Sequence, residues 1–276
     1  MQFKSAVSGQ RKSLQRVDDF EVVIRDLTSD GRGVGEAPDG QVVFVGGAWL
    51  NERVLVRRTR QGAKTSAQLI EVIDACEERV EPVCAYHREN QCGGCPWMFV
   101  SYDAQLSAKA DKLKASLESL NATQIASIVH PSPRQWGYRN RAQLKTNGKA
   151  LGYLAASSHD IVDVSICPIL TQPNQAELTQ LREELPNNKW RPKARQKWVT
   201  LDIDDQRSST LVNQRQPFRQ ANDEQNVVMS RWLADTLKSL ASPAGLLELF
   251  CGSGNLTSVL ASCFPDHQIT AVEGDE

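Results

Sequence analysis

The sequence predicts a multidomain chain of β and α/β character, on three observations. Residues Phe20 to Ala75 carry short, partly alternating apolar runs separated by turn signals. Cys92-Gly-Gly-Cys95 stands in a cysteine-rich stretch behind them. Glu248-Leu-Phe-Cys-Gly-Ser-Gly-Asn-Leu-Thr257 runs a strand into a glycine turn and a helix start, and a second apolar run ends at Glu273. In chain order these give a β-barrel of the oligonucleotide-binding (OB-like) kind over residues 1–76 and a central α+β domain with a four-cysteine metal site over 77–215. The start of a Rossmann-like α/β domain follows over 216–276.

The barrel is read from Phe20-Glu-Val-Val-Ile-Arg25, the turn Asp30-Gly-Arg-Gly33, and the hairpin turn Pro38-Asp-Gly40 leading into Val42-Val-Phe-Val45. Arg53-Val-Leu-Val-Arg57 and Ala67-Gln-Leu-Ile-Glu-Val-Ile73 add further strands, about five in all, a density typical of small barrels. In the central region Leu106, Ala110, Leu113, Leu117 and Leu120 recur at three- and four-residue steps and predict a helix over Asp103–Leu120, stopped at Asn121. Strands are expected within 136–170, with a turn at Asn147-Gly148, and a helix over 171–185. Trp198–Ile203 and Ser209–Val212 are expected to pair. Met229, Leu233, Leu237 and Leu240 define one face of a helix over Asp223–Leu240, capped by Asn222 and broken at Ser242-Pro-Ala-Gly245. Leu246–Phe250 and Gln268–Glu273 are then the first two strands of the α/β domain. An α/β domain needs roughly 100–150 residues for its own core, so the chain is expected to open this domain without finishing it.

Composition narrows the function classes. Hydrophobic content of 40% and charged content of 24% fit a soluble globular protein. No apolar run approaches the roughly 20 residues of a membrane span, and Met-Gln-Phe-Lys-Ser does not open a secretory signal. We therefore expect a cytoplasmic monomer with no membrane partner. Seven cysteines, an odd number, argue for reduced thiols rather than a disulfide framework. The net charge of −1 conceals two acid-free basic runs: Arg134, Arg139, Arg141, Lys145 and Lys149, then Lys189, Arg191, Lys193, Arg195 and Lys197. Such runs in a neutral chain suggest a path for a polyanion, against the alternative of solvated strand faces and loops.

The glycines of Cys92-Gly-Gly-Cys95 let the backbone turn tightly enough to bring two thiols to one point. Cys84 is the natural third ligand. Cys167, rigidly placed before Pro168, is the best fourth, with Cys76 as competitor. Four thiolates suit either zinc or an iron–sulfur cluster. At the other end, Gly252 and Gly254 open the backbone to a ligand, and Glu273 stands where a carboxylate takes two ribose hydroxyls. The third glycine of a dinucleotide fingerprint and the Lys-Ser/Thr of a phosphate loop are missing. A nucleoside cofactor such as S-adenosylmethionine is therefore favoured over NAD or ATP.

Taken together, these segments resemble the RNA uracil-C5 methyltransferases, in particular the large-subunit ribosomal RNA branch with an N-terminal TRAM domain. The matching stretches are Asp26–Val34 for the TRAM opening, Cys92–Cys95 for the cluster motif, and Trp136-Gly-Tyr-Arg-Asn-Arg141 with Asp160–Ile169 for the central domain. Phe218-Arg-Gln-Ala-Asn222 and Glu248–Thr257 match the start of the methyltransferase domain. The resemblance implies a [4Fe-4S] cluster on Cys84, Cys92, Cys95 and Cys167. It implies S-adenosylmethionine contacts from Gln220, Phe250, Asn255 and Glu273, and an RNA partner, ribosomal RNA foremost. The gap between Cys84 and Cys92 is wider than the family's usual one, which keeps Cys76 in play. Arg139, Arg141 and the Lys189–Lys197 run are then expected to follow RNA phosphates, with Trp136 and Tyr138 either stacking on bases or packing in the core. In such enzymes a cysteine thiolate adds to C6 of uracil, C5 takes the methyl group, and a base removes the C5 proton. The family carries both groups far beyond its glycine motif, so no catalytic residue is assigned in this chain. The alternatives are a non-catalytic RNA-binding module with a structural metal site and a tRNA-directed member of the same superfamily.

Overall fold

A computed structural model of the protein describes residues 19–61, 64–88, 92–122, 128–156, 158–214, 216–239 and 245–274. It divides into two compact units, one of residues up to Val80 together with Phe99–Ser101, the other of Glu81–Met98 and the residues from Tyr102 onward.

The first unit holds β1 (Asp19–Val23), β2 (Asp26–Leu27), β3 (Gly33–Glu36), β4 (Val42–Val45), β5 (Arg53–Gln61) and β6 (Lys64–Asp74) in one sheet of order β1-β5-β6-β4-β3-β2. All neighbours are antiparallel except β4 and β6. The two edge strands are separated in sequence by Ile24 and Arg25 alone. Ile24 N–H donates to Glu52 O at 2.9 Å and Arg25 N–H to Val34 O at 2.8 Å. One continuous stretch thus borders both edges of the sheet. The alternation read in the sequence sets its inside: Val22, Ile24, Val43, Val45, Val54 and Val56 are buried. Each such side chain contributes about 1.5–3 kcal/mol of transfer free energy before ordering entropy is subtracted.

Glu52 is a fully buried carboxylate immediately before β5. It accepts the Trp49 N–H at 2.8 Å and pairs in two-pronged fashion with Arg79, one contact being Nη2–Oε2 at 2.7 Å. Arg79 also donates to Gly47 O and lies over the Phe99 ring, 4.4 Å from its centre. Val80 N–H donates to Phe99 O and Ser101 N–H to Glu78 O. Residues 78–80 and 99–101 therefore run side by side and gather the base of the intervening loop.

The second unit contains α1 (Ala85–Arg88), α2 (Tyr102–Ser119), β7 (Arg141–Thr146), β8 (Leu151–Leu154), β9 (Ile161–Asp163), α3 (Gln172–Glu183), β10 (Val199–Asp204), β11 (Leu211–Val212), α4 (Asp223–Lys238), β12 (Leu246–Leu249), α5 (Thr257–Cys263) and β13 (Ile269–Val272). An antiparallel sheet of order β11-β10-β7-β8-β9 forms its centre. Ala142 and Leu144 of β7, Leu151 of β8, and Leu201 and Ile203 of β10 face Leu178 and Leu181 of α3, with Trp190 closing the cluster. The opposite face of β10 also holds a buried residue, Asp202, because two guanidinium groups sandwich it.

The helix over Asp103–Leu120 forms at the expected length, shifted one residue toward the N-terminus, and none of its residues is buried; Leu113 within it and Leu120 just past its end are exposed. The periodicity was sufficient for a helix and insufficient to bury its stripe. The helix over 223–240 forms as α4, with Asn222 Oδ1 accepting the Gln225 N–H at 3.0 Å as its cap. Its expected end at Leu240 and the break at Ser242–Ala244 lie outside the described residues. β12 and β13 pair in parallel through α5, the first β–α–β turn of a doubly wound sheet.

Candidate functional site

Two sites stand in the second unit. The first is a cavity of about 100 Å³ bordered by Cys84, Cys92, Cys95 and Cys167. Cys84 precedes α1, and its carbonyl accepts the N–H groups of His87 and Arg88. The Cys92–Cys95 loop is pinned to the end of β8: Gly93 N–H donates to Leu154 O at 3.1 Å, and Cys92 bridges Ala155. A Cβ on Gly93 would stand 2.8 Å from Ala156 Cα, so only glycine admits this approach. Cys167 is held by Gln175 of α3, which accepts the Cys167 N–H at 2.9 Å and donates to Ser165 O at 3.0 Å. Burial, reinforced by the neighbouring cavity thiols, pushes the Cys92 thiol up and the Cys95 thiol up to about 12. Burial likewise raises Cys167. Cys76 is not on this cavity: its thiol faces the Glu52 carboxylate at 3.5 Å within the first unit, and burial there pushes it up to about 11. Among the described residues, no three His, Cys, Asp or Glu side chains converge tightly enough to hold a single metal ion.

The second site is the corner between β12 and α5. Phe250 takes a left-handed φ of 59° and is 87% exposed, an arrangement that a bulky residue adopts only against strain. Gly252 and Gly254 continue the turn at φ of 55° and 85°. Glu273, at the tip of β13, accepts the Gly252 N–H at 2.7 Å, so its carboxylate is already set against the turn. Asn255 exchanges both amide hydrogen bonds with Asn226 of α4 at 2.9 Å. Gln220 is anchored by its backbone, its carbonyl accepting from Asn140 Nδ2 at 3.0 Å, while Ser253 Oγ reaches the carbonyl of Phe218 at 3.5 Å. The segment bearing Gln220 and the glycine turn bearing Phe250 and Asn255 are thus joined, with Glu273 on the turn's other side. Asn226 was not singled out in the sequence, although it lies one helical turn beyond the cap Asn222.

The basic runs divide. Arg141 is not free for phosphate: it pairs with buried Asp202 at 2.8 Å and donates to Pro217 O at 2.7 Å. Arg134 pairs with Glu224 at 2.7 Å. Arg207 and Arg219 extend the network through Asp202, Asp204, Asp205 and Asp223. Arg139 borders the cysteine cavity. By contrast Lys189, Arg191, Lys193, Arg195 and Lys197 are all exposed, on a loop whose anchor is buried Trp190. Of the aromatic candidates, Trp136 is exposed, whereas burial, and then the nearby Cys95, push the Tyr138 hydroxyl up. No helix among the described residues is long and apolar enough to cross a membrane.

Residues 191–273 match the family model of the tRNA (uracil-5-)-methyltransferases. Over 88% of its length the chain is 37% identical to an uncharacterized RNA methyltransferase of Nitrosomonas europaea. Over 92% it is 29% identical to the 23S rRNA (uracil(1939)-C(5))-methyltransferase RlmD of Halomonas elongata. The chain spans 65% of the length of each of these relatives. Among solved structures, the fold is similar to that of a Pyrococcus abyssi tRNA (uracil-54, C5)-methyltransferase in complex with S-adenosyl-L-homocysteine. The TM-score is 0.62 at 18% identity, over 92% of this chain and 79% of that one.

Proposed function

We propose, on these likenesses, that the chain belongs with the RNA uracil-5-methyltransferases and serves the S-adenosylmethionine-dependent methylation of uracil C5 in RNA, 23S ribosomal RNA foremost. The observation that carries this is the corner in which Glu273 is set on the Gly252 N–H beside the strained Phe250 and the paired Asn255. When bound there, S-adenosylmethionine supplies an electrophilic methyl group on sulfur. Glu273 takes the ribose hydroxyls, Asn255 and Gln220 orient the remaining polar edges, and exposed Phe250 offers a flat apolar face to the base. No catalytic nucleophile is assigned. Cys251 sits within the glycine turn, four cysteines border the cavity, Cys263 ends α5, and burial beside Glu52 pushes the Cys76 thiol up.

In this reading residues 1–76 are a TRAM-type RNA-binding barrel, 77–215 the cluster-bearing domain and 216–276 the methyltransferase portion of a monomeric cytoplasmic protein. The cavity suits a [4Fe-4S] group on Cys84, Cys92, Cys95 and Cys167. In a cubane each thiolate meets a different iron, so four thiols spread around a cavity fit it. Tetrahedral zinc instead draws its sulfurs to about 3.8 Å of one another, from a Zn–S bond of about 2.3 Å. The Lys189–Lys197 loop provides exposed cations for RNA phosphates. A tRNA substrate is the second reading, favoured by the family model that residues 191–273 match.

Calorimetric titration with S-adenosylhomocysteine tests the corner. Glu273→Gln is expected to weaken binding about 10- to 100-fold, the loss of a charged hydrogen-bond acceptor. Asn226→Ala is expected to weaken it about fivefold by releasing Asn255. Undiminished binding by Glu273→Gln would refute the assignment. Tritium transfer to 23S fragments against tRNA transcripts decides the substrate.

A further inference from the structure

Among the described residues, two polar groups on the wall of the cysteine cavity lack ordinary partners. Arg139 Nε is buried without a hydrogen bond, and so is Tyr153 Oη, whose polar neighbour is the Cys167 thiol. The other arginines of this region make the contrast: Arg134, Arg141, Arg182, Arg207 and Arg219 each hold a carboxylate. Among the described residues Arg139 has no ion-pair partner. A buried guanidinium N–H left unsatisfied is costly unless an acceptor, best an anionic one, meets it.

The backbone places both groups close to the thiols. Arg139 N–H donates to Ile169 O at 2.7 Å, two residues past Cys167, and the Arg139 carbonyl accepts from Thr171 N–H and from Asn174 Nδ2. Tyr153 lies on β8 immediately before Leu154 and Ala155, the residues that pin Gly93 and Cys92. The strand ends that position the cysteine loops therefore also aim Arg139 and Tyr153.

We infer that Arg139 is the counter-ion of an anionic four-thiolate centre in this cavity and that Tyr153 donates a hydrogen bond to the Cys167 sulfur within it. The inference rests on reading the cavity as a cluster site. Net charge and hydrogen bonds to sulfur are among the levers that set a cluster's reduction potential and its hold on the protein. Arg139 and Tyr153 are thus positioning and tuning residues, not ligands.

The test starts with anaerobically purified wild-type protein, measuring iron per chain and the absorbance near ~400 nm. A wild type without iron overturns the cluster reading and this inference with it. With the cluster present, Arg139→Gln is expected to shift the midpoint potential to more negative values and to speed chelator-driven loss of the absorbance severalfold. Arg139→Lys, which keeps the charge, is expected to restore both. Tyr153→Phe is expected to raise the Fe–Sγ stretching frequency in resonance Raman spectra, as loss of a hydrogen bond to sulfur does. A cluster-bearing wild type whose potential, loss rate and Raman bands are unchanged in Arg139→Gln and Tyr153→Phe would overturn this inference and leave the cluster reading standing. An Arg139→Lys variant that behaves like Arg139→Gln would show packing rather than charge and would overturn the counter-ion role.

Discussion

Replacing Glu52 by Gln isolates one charge in the first unit. The change keeps the shape and an acceptor for the Trp49 N–H, but it removes the partner of Arg79. Burial alone pushes the Glu52 carboxyl up; the Arg79 guanidinium and the Trp49 N–H outweigh it and hold the group below the usual carboxylate range. Breaking a buried pair from one side costs about 3–5 kcal/mol. Here the Arg79 side chain is 23% exposed and keeps its contacts with Gly47 O and Phe99, so water relieves part of the loss. We expect about 2–3 kcal/mol. Hydrogen exchange of the full protein reads this locally: β1 and β5 amides should exchange on the order of 100-fold faster, at tenfold per 1.4 kcal/mol. The pH dependence has a definite sign. A carboxyl whose folded-state value is depressed stabilises above its unfolded value of about 4.3 and loses that contribution as pH falls through the folded value. The difference between wild type and Glu52→Gln should therefore be full at neutral pH and close in acid. A neutral-pH difference below about 0.5 kcal/mol, or one that grows on acidification, would refute the reasoning.

Gly93→Ala is expected to displace the cysteine loop, because the new methyl meets Ala156 backbone at 2.8 Å; we expect a cost of about 1–3 kcal/mol, read by thermal unfolding, and, on the proposed cluster reading, iron per chain below half of wild type, read by metal analysis. Neutralising Lys189, Lys193 and Lys197 together should lower the log–log salt slope of single-stranded RNA binding by about 2, at roughly 0.7 for each phosphate no longer neutralised. Arg141→Gln should leave that slope unchanged and instead destabilise the central sheet, since its partner Asp202 is buried. The opposite pattern would put the RNA path on β7.

Local patterning was legible wherever neighbours in sequence decided the outcome. The strand Val42–Val45 behind its turn, the cap at Asn222 and the glycine turn at Gly252 all act within a few residues, and each formed as read. What escaped the sequence depends on partners brought in from afar. Arg141 looked like an RNA contact in an acid-free run, yet Asp202 lies 61 residues on and arrives only because β10 pairs with β7. The α2 stripe had helical spacing, but burial requires a facing surface that no local window reveals. The joining of the sheet's two edges likewise turns on one stretch, Ile24–Arg25, bonding to both β5's approach and β3. At the corner between β12 and α5 the structure gathers Phe250, Asn255 and Glu273 at the glycine turn that the motif marks, whereas Asn226 was hidden because an ordinary helical asparagine carries no signature until its partner is seen. At the cavity the four cysteines announced themselves, but Arg139 and Tyr153 did not, being marked only by the hydrogen bonds they lack.

The side-by-side run of residues 78–80 with 99–101 has a consequence for the order of assembly. The first unit's last piece, Phe99–Ser101, is synthesised only after the whole Cys84–Cys95 loop, so the chain leaves one unit and returns before it is complete. Ring closure over that detour costs entropy that grows with the freedom of the intervening residues. On the proposed reading, a group held by Cys84, Cys92 and Cys95 would shorten the effective loop and lower that cost, so that filling the cavity would also favour the return of Phe99–Ser101 to the first unit.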